Sequence, residues 1–362
     1  MTESDTREIL SREAVDALLE WYRTHARDLP WRRTRDPYRI WISEIMLQQT
    51  RVEAVKPYYE RFLAAFPTVN DLACASDERL FKLWEGLGYY SRARNLRLAA
   101  QMIVRDYSGE LPADEKLLRM LPGVGDYTAG AVASIAFDIR APAVDGNVLR
   151  VLSRVTGSMA DVTLPETKSR FRDALRSIVP ADAGSFTQSL IELGAVVCVP
   201  NGEALCSACP LSPFCVARRD GLCDEIPVRS AKRPRRVEER TVLLIRDGRS
   251  TAIRRRPEHG LLAGLYEYPN LPGHILPDAL PAVVRSLGFE PLRILRLSDS
   301  RHLFTHIEWR MIAYDVTVAP EFDGYHPTSG FLLVNDGVLF SEYPVPSAFA
   351  AYTGYLRGRA RS

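Results

Sequence analysis

An acidic residue within an apolar helical pattern is the first candidate for chemistry. Glu44 lies in the run WISEIML, residues 41–47. Most glutamates on helices face water, but burial disfavours the charged form of a carboxyl and so raises its pKa. A carboxyl in an apolar pocket can therefore hold a proton near neutral pH and deliver it to a leaving group. The pattern makes Glu44 a candidate general acid.

Cysteines provide a second candidate site. Five of the six lie between residues 198 and 223, and gaps of seven, two and five residues separate the first four of these. Soft thiolates so close in sequence suit a [4Fe–4S] cluster. Structural zinc is the alternative, although such sites more often pair two Cys-x-x-Cys units, and here only Cys206 and Cys209 form one. The cluster interpretation is favoured, with these ligands: Cys198, Cys206, Cys209 and Cys215.

Two glycine-containing turns complete the set of candidates. The run LPGVGDYT, residues 121–128, predicts a tight turn before an apolar helix. Gly123 and Gly125 let backbone N–H groups approach a phosphate at the positive end of that helix, although the glycines alone would equally suit a helix corner. Asp145 precedes Gly146, a position at which an acid is usually a turn or helix-cap residue.

The elements that position these residues fall into two classes. Up to about residue 225 the apolar spacing is helical, as in the stripe of Val15, Leu18, Leu19 and Tyr22. Ser76 is a predicted N-cap for the helix in DERLFKLWE, which Gly86 and Gly88 should end. Residues 226–236 predict a basic, proline-containing linker, and residues 237–362 an α/β domain. Its predicted strands cover residues 241–245, 251–256, 293–297, 302–310 and 311–318, with helices over 279–288 and 347–357.

The hairpin motif and the acid that follows it resemble the helix–hairpin–helix DNA glycosylases of the endonuclease III superfamily. In that superfamily an aspartate at the distance of Asp145 faces the sugar of the flipped nucleotide and stabilises its oxocarbenium-like charge. The cluster cysteines follow the catalytic core, as they do here. The usual first gap is six residues, so either this loop is one residue longer or Cys223 replaces Cys198. The context IELGA before Cys198 matches the family and favours Cys198.

Residues around Glu44 narrow the resemblance to adenine DNA glycosylases of the MutY type. The segments LPWR, residues 29–32, and WISEIMLQQT, residues 41–50, carry the likeness. The resemblance implies that Glu44 protonates adenine at N7, and that three residues line the adenine pocket: Trp31, Arg32 and Gln188. Tyr127 stands where lyase-active relatives have a Schiff-base lysine, which implies a monofunctional glycosylase. By the same resemblance Tyr127 and Asn147 position Asp145 and the sugar.

The C-terminal part resembles the Nudix-like domain of bacterial adenine glycosylases. The matching stretches are RRRP, residues 254–257, and GLLAGLYEYP, residues 260–269. No Glu-rich helix follows that could hold Mg²⁺, so we expect no nucleotide hydrolysis. The resemblance implies that a loop of Phe304, Thr305 and His306 reads 8-oxoguanine, with threonine in place of the family's serine. It also implies that Gln49 and Tyr89 enter the duplex near the lesion.

Composition sets the remaining expectations. The fold class is multidomain, an all-α helix–hairpin–helix glycosylase core with an iron–sulfur loop plus a C-terminal α/β Nudix-like domain, with boundaries at 1–225, 226–236 and 237–362. The net charge of +2 does not itself indicate a nucleic-acid partner. No apolar run approaches the roughly 20 residues that span a membrane. We expect a monomer in the bacterial cytoplasm, associated with the nucleoid, acting on duplex DNA with adenine opposite 8-oxoguanine or guanine.

Overall fold

The computed structural model of the chain describes residues 9–200, 202–231, 234–319, 325–326 and 330–359. The chain folds into two compact units. The helical unit comprises Met1–Ala75 and Arg94–Ala231, and the sheet unit comprises Ser76–Ala93 and Lys232–Ser362. No helix among the described residues is long and apolar enough to cross a membrane.

Helices account for the regular structure before residue 236, and the described residues of that stretch contain no strand. The α-helices are α1 (Arg12–His25), α2 (Pro37–Leu47), α3 (Val52–Ala65), α4 (Val69–Ala73), α5 (Asp77–Trp84), α6 (Ser91–Asp106), α7 (Glu115–Arg119), α8 (Asp126–Phe137), α9 (Gly146–Thr156), α10 (Pro165–Arg176), α11 (Ala183–Val196) and α12 (Val216–Arg219). Short 3₁₀ turns cover Pro30–Arg32, Cys206–Ala208 and Ser212–Phe214. The predicted helical core is confirmed.

The apolar stripe of α1 anchors one half of the helical unit. Ser11 caps this helix by accepting a hydrogen bond from the backbone N–H of Ala14 at 3.3 Å. Val15, Leu18 and Leu19 are buried and belong to one hydrophobic cluster with side chains of α9, α10 and α11. The stripe therefore packs α1 against the helices that carry the candidate site.

The turn between α7 and α8 is the predicted hairpin. Gly123 has φ +76°, a left-handed conformation that favours glycine. A Cβ on Gly123 would also lie 2.7 Å from Cβ of Asn95, so the turn approaches α6 too closely for a side chain. Gly125 is the N-cap of α8 and has open space where its Cβ would be.

Eight strands form one mixed sheet in the described part of the sheet unit. The strands are β1 (Arg236–Arg246), β2 (Ser250–Arg255), β3 (Tyr266–Glu267), β4 (Asn270–Pro272), β5 (Pro291–Leu303), β6 (Ile307–Val318), β7 (Tyr325–His326) and β8 (Phe331–Asn335). Their order is β5-β6-β1-β2-β8-β7, with β3 beside β2 and β4 beside β1. The pair β1–β6 is parallel and the other pairs are antiparallel.

Helices cover both faces of this sheet. Their bounds are α13 (Leu280–Ser286), α14 (Asp336–Glu342) and α15 (Ala350–Arg359). Alternate residues of β1 belong to different clusters, because successive side chains of a strand point to opposite faces. Val242 and Leu244 share a cluster with Leu356 of α15, whereas Leu243 and Ile245 share one with Val284 of α13. The predicted α/β domain is confirmed.

The segment Ser76–Ala93 belongs to the sheet unit although it precedes the linker in sequence. Ser76 caps α5 as predicted, by accepting a hydrogen bond from the backbone N–H of Arg79 at 3.3 Å. Gly86 and Gly88, with φ +99° and +70°, lie in the turn after the helix. Lys82 Nζ donates to the carbonyl of Tyr343 at 3.2 Å, one of the contacts that hold α5 in this unit.

One strand prediction was wrong. The sequence pattern predicted a continuous strand over residues 302–310, but β5 ends at Leu303 and β6 begins at Ile307. Phe304 donates its backbone N–H to the carbonyl of Ile307 at 2.8 Å, which closes a hairpin turn there. The turn contains no glycine, proline, asparagine or aspartate, so the residues that usually indicate a hairpin are missing. The predicted turn at Asp247 and Gly248 does separate β1 from β2.

A substitution in helix α8 can test how tightly the helical unit is packed. A Cβ on Gly130 would lie 2.2 Å from the carbonyl oxygen of Pro142, in the segment that leads to Asp145. We expect Gly130→Ala to lower the stability by about 1–3 kcal/mol, although alanine favours helices, because the backbone must move. Thermal unfolding followed by circular dichroism checks this.

The matched control is Gly354→Ala in α15, where a Cβ meets no atom within 4 Å. This substitution should be neutral or stabilising by up to about 1 kcal/mol, since alanine is the better helix former. Equal melting temperatures for the Gly130→Ala variant and the parent protein would contradict the close packing of α8.

Candidate active site

A cavity of 490 Å³ in the helical unit contains the main candidate residues. Side chains from α2, α8, α9 and α11 line it, together with the Pro30–Arg32 turn. Its lining includes Trp31, Arg32, Glu44, Gln49, Tyr127, Asp145, Asn147 and Gln188. The cavity is of the size that usually holds a small organic ligand.

Glu44 is buried in α2, with 6% of its surface exposed. Its Oε2 accepts a hydrogen bond from the hydroxyl of Tyr127 at 2.8 Å. Burial raises the pKa of Glu44 to about 7; the charge of Asp145 adds to this, whereas Tyr127 and Arg32 oppose it. Glu44 is therefore a carboxyl that can be protonated near neutral pH.

Asp145 is the N-cap of α9 and lines the same cavity. Its Oδ1 accepts hydrogen bonds from the backbone N–H groups of Asn147 and Val148, both at 2.8 Å. Its Oδ2 accepts one from the side-chain amide of Asn147, also at 2.8 Å. Burial raises the pKa of Asp145 above its ordinary value, and these donors offset only part of that rise. Three donors favour a carboxylate that carries negative charge, so the two acids have different surroundings.

Tyr127 links α8 to Glu44. Burial raises the pKa of Tyr127 well above its ordinary value, so its hydroxyl keeps its proton and acts as a donor. The resemblance implied that Tyr127 positions Asp145, but its hydrogen bond goes to Glu44. The side chain that bonds directly to Asp145 is that of Asn147.

A buried ion cluster holds Arg32 at the cavity. Glu192 of α11 has a fully buried side chain and accepts hydrogen bonds from Arg27 Nε and Arg32 Nη2, each at 2.7 Å. Burial would raise the pKa of Glu192, but these arginines lower it to about 2. This role of Glu192 was not predicted from the sequence. An acid one turn after Gln188 on a helix that ends near the cysteines was the available signal.

Other cavity residues differ in exposure. Trp31 is buried and its ring meets Tyr59 edge-on, with centroids 5.5 Å apart. Gln188 is half-buried on α11. Gln49 is exposed and has φ +58°, a backbone conformation that non-glycine residues rarely adopt. Gln49 therefore lies at the rim of the cavity, whereas Trp31 forms part of its wall.

The cysteines gather around a second, smaller cavity of the helical unit. Cys198, Cys206, Cys209 and Cys215 line it, and so does Cys223. The described cysteines form no disulfide, and no described group of three or more His, Cys, Asp or Glu has the spacing of a site for one metal ion. Because five thiols face one cavity, their chemistry fits an iron–sulfur group.

Two arginines of α9 lie between the cysteine loop and the larger cavity. Arg154 Nη1 donates to Sγ of Cys198 at 3.3 Å. Arg150 Nε donates to the carbonyl of Cys198 at 2.7 Å, and its Nη2 donates to Oδ1 of Asn147 at 2.9 Å. A chain of hydrogen bonds thus connects the residue beside Asp145 to the start of the cysteine loop. Neither arginine was predicted from the sequence.

The remaining candidates lie in the sheet unit. Phe304, Thr305 and His306 form the turn between β5 and β6, with Phe304 half-buried and the other two exposed. Tyr89 is 47% exposed, has φ +49°, and lies under the guanidinium of Arg92, whose Cζ is 5.5 Å from the ring centroid.

Family models cover both units. Residues 42–180 match the HhH-GPD superfamily of base excision DNA repair proteins. Residues 241–353 match the NUDIX domain. The first match includes Glu44 and Asp145, and the second includes the turn of residues 304–306.

Curated relatives extend the similarity over most of the chain. Adenine DNA glycosylase of Mus musculus is 36% identical over 360 residues, which cover 83% of this chain and 70% of the relative. Adenine DNA glycosylase of Schizosaccharomyces pombe is 30% identical over 379 residues, which cover 84% of this chain and 82% of the relative.

Solved structures agree with the helical core. A thermostable thymine-DNA glycosylase superposes with a TM-score of 0.52 at 31% identity, covering 57% of this chain and 95% of that one. Endonuclease III trapped covalently on DNA gives a TM-score of 0.50 at 27% identity, covering 58% of this chain and 96% of that one. On the curated relatives and both family models, this chain belongs to the adenine DNA glycosylases, hydrolytic DNA N-glycosylases of the helix–hairpin–helix base-excision repair superfamily.

Proposed function

We propose that this protein removes adenine paired with 8-oxoguanine, or with guanine, by hydrolysing its N-glycosidic bond without lyase chemistry. The observation that carries the proposal is the presence of Glu44 and Asp145 in one cavity with different surroundings. Glu44 accepts one hydrogen bond from a tyrosine and is buried, whereas Asp145 accepts three hydrogen bonds. One carboxyl can carry a proton while the other carries charge.

The proposed step uses both groups. Neutral Glu44 gives its proton to N7 of the flipped adenine, and the C1′–N9 bond breaks with its electron pair leaving on the purine. Asp145 stabilises the positive charge left on the sugar. Water then adds at C1′ and its proton passes to the Glu44 carboxylate, which yields adenine, an abasic site and the neutral Glu44 that began the step. The donors on Asp145, chiefly Asn147, keep its carboxylate in place.

Adenine recognition is assigned to the wall of the same cavity. Trp31, Arg32 and Gln188 would enclose the flipped base, since an extruded base is held by stacking and by hydrogen bonds to its edges. Glu192 fixes the guanidinium of Arg32 through a hydrogen bond of 2.7 Å. The arginine therefore presents a defined donor edge rather than a mobile charge.

Tyr127 is the basis for a monofunctional enzyme. A Schiff base with the sugar needs an amine nucleophile, and a phenol cannot form one. The described residues lining the cavity include no lysine. Tyr127 instead donates its proton to a hydrogen bond with Glu44.

Lesion reading is assigned to the sheet unit and to the rim residues. Thr305 and His306 are exposed on a hairpin turn, where they could meet 8-oxoguanine. Gln49 and Tyr89 are exposed and have positive φ values, which suits residues held out from the fold to enter a duplex. Helix α13, with the sequence LPAVVRS, carries no carboxylate for Mg²⁺, so we assign no nucleotide hydrolysis to this unit.

We assign binding of the DNA phosphate backbone to the hairpin turn before α8. Gly125 caps this helix and leaves open space at its N-terminus, where N–H groups favour an anion. The turn made by Gly123 gives the chain its close approach to α6. A DNA phosphate would fit at this terminus.

The cysteine loop would hold a [4Fe–4S] cluster through Cys198, Cys206, Cys209 and Cys215. Such a cluster, when bound, supplies a rigid inorganic centre that cross-links the loop. Arg150 and Arg154 bond to Cys198 and would fix its position beside α9. Cys223 lines the same cavity and is the alternative fourth ligand.

Domain boundaries and setting complete the proposal. We place the glycosylase domain at 1–225, the linker at 226–236 and the lesion-recognition domain at 237–362. Lys232 and Arg233 of this linker lie outside the described residues. Because one chain supplies both carboxyls of the cavity, we propose a monomer, acting on nucleoid DNA in the bacterial cytoplasm.

The pH dependence of excision tests the proton donor. Single-turnover assays on a duplex with adenine opposite 8-oxoguanine should yield abasic sites that only alkali converts to strand breaks. The rate should fall as the pH rises through about 7, because Glu44, with its pKa near 7, loses the proton that it must donate. Glu44→Gln should lower the rate by about 100-fold or more while sparing DNA binding.

Glu53→Gln on α3 is the matched control, since that carboxyl is 77% exposed and pairs with Lys56. It should leave both the rate and the pH profile unchanged. A Glu44→Gln variant with the parent's rate would remove Glu44 from the mechanism.

Glu44 should also make the stability of the protein depend on pH. Because folding raises the pKa of Glu44, the free energy of unfolding of the parent should fall between pH 4.5 and about 7, and that of Glu44→Gln should fall less.

Borohydride trapping tests whether the protein forms a Schiff base with the sugar. During turnover, reduction should leave no covalent protein–DNA complex, because Tyr127 cannot form an imine with the sugar. Electrophoresis under denaturing conditions measures this, with a lyase-active endonuclease III as the positive control. A trapped complex formed by this protein would refute the monofunctional mechanism.

Iron content tests the choice of ligands. The purified protein should be brown with about four iron atoms per chain. Cys198→Ser should lose most of the iron, since it removes a ligand bonded to Arg154, whereas Cys223→Ser should retain it. The reverse pattern would assign Cys223 as the ligand, and stoichiometric zinc in a colourless protein would overturn the cluster.

A further inference from the structure

The hairpin turn at residues 304–306 is held by the start of β1. Arg235 Nε donates to the carbonyl of Phe304 at 2.8 Å. The backbone N–H of Arg236 donates to the carbonyl of His306 at 3.0 Å. Both outer carbonyls of the turn are thus bonded to the chain that enters the sheet unit.

An aromatic cluster around Phe304 holds the turn against the sheet. The ring of Phe304 lies edge-on to His302 and Trp309, with centroids 4.6 and 5.0 Å away. Trp309 is buried, donates from Nε1 to Glu238 at 3.0 Å, and has the Arg240 guanidinium 4.3 Å above its ring. Phe304 therefore anchors the turn rather than extending from it.

Thr305 and His306 are the parts of the turn that remain available. Both are exposed, and their side chains make no hydrogen bond within the described part of the chain. Because no hydrogen bond within the described part of the chain holds these side chains, their direction depends on the backbone of the turn. The carbonyl that precedes Thr305 is the one that Arg235 binds.

We propose that Arg235 is a positioning residue that sets the preference for 8-oxoguanine over guanine, acting through the Phe304 carbonyl. This inference rests on the proposed lesion reading by the turn. Arg235 is exposed and only its Nε has a partner among the described residues. One edge of its planar guanidinium fixes the turn, a geometry that the single ammonium of lysine does not reproduce.

The test compares two arginines of the same hairpin region. Arg235→Met keeps much of the apolar stem and removes the donor. Arg301→Met removes the same charge from β5, at an exposed side chain that makes no hydrogen bond within the described residues. The measured quantity is the ratio of single-turnover rates for adenine opposite 8-oxoguanine and opposite guanine.

Arg235→Met should lower this ratio by about fivefold, the effect of one lost hydrogen bond, and Arg301→Met should leave it unchanged. Arg235→Lys should leave the ratio as low as in Arg235→Met, since it returns the charge without the planar donor. A ratio restored by lysine, or lowered equally by Arg301→Met, would assign Arg235 a purely electrostatic role and overturn the proposal.

Hydrogen exchange of the free protein gives a readout independent of activity. In Arg235→Met the amides of Phe304 and Arg236, which are hydrogen-bonded to the carbonyls of Ile307 and His306 in the parent, should exchange faster, with an unchanged melting temperature. If the parent has no preference for 8-oxoguanine, the proposed lesion reading fails, and the exchange data alone decide whether Arg235 holds the turn. If the parent discriminates but Arg235→Met keeps both its ratio and its exchange rates, the positioning role is refuted.

Discussion

Exclusion of water from the Glu44 carboxyl is the constraint on which the rest of the helical unit depends. A carboxyl stays neutral near pH 7 only if its charged form is poorly solvated, and Glu44 is buried in α2 beside a tyrosine. Helices α8, α9 and α11 complete the wall, and there is no room for a Cβ where Gly130 of α8 meets Pro142 and where Gly194 of α11 meets Asn147 of α9. Glu192 offsets part of the positive charge of Arg27 and Arg32 in this wall, and Arg32 opposes the burial that keeps Glu44 protonated without cancelling it.

Much of this arrangement could be predicted from the sequence. The apolar run around Glu44 and the hairpin before α8 were predicted from residue types and spacing. The role of Asp145 came from resemblance, since an aspartate before a glycine is by itself an ordinary cap. The Tyr127–Glu44 bond joins residues 83 positions apart, and such long-range contacts leave no local pattern.

In the sheet unit, by contrast, the sequence did not predict one of the turns. Continuous apolar alternation over residues 302–310 concealed a hairpin, because the turn uses Phe304, Thr305 and His306 in place of the usual turn formers. The aromatic cluster under Phe304 supplies the stability that turn residues normally provide. Likewise, α5 was predicted with its cap, but its place in the sheet unit depends on contacts such as Lys82 to Tyr343, which are separated by 261 positions. The local sequence predicts helices and strands better than it predicts which of them pack together.

The protonation state of Glu44 is the central claim, and infrared titration of its side chain tests it most directly. Isotope-labelled glutamate in the DNA-free protein, with the Glu44→Gln variant subtracted, isolates the carbonyl stretch of this one carboxylic acid. The band should persist through mildly acidic pH and disappear with a midpoint near 7. A group already ionised at pH 5 would contradict the assignment of Glu44 as the proton donor.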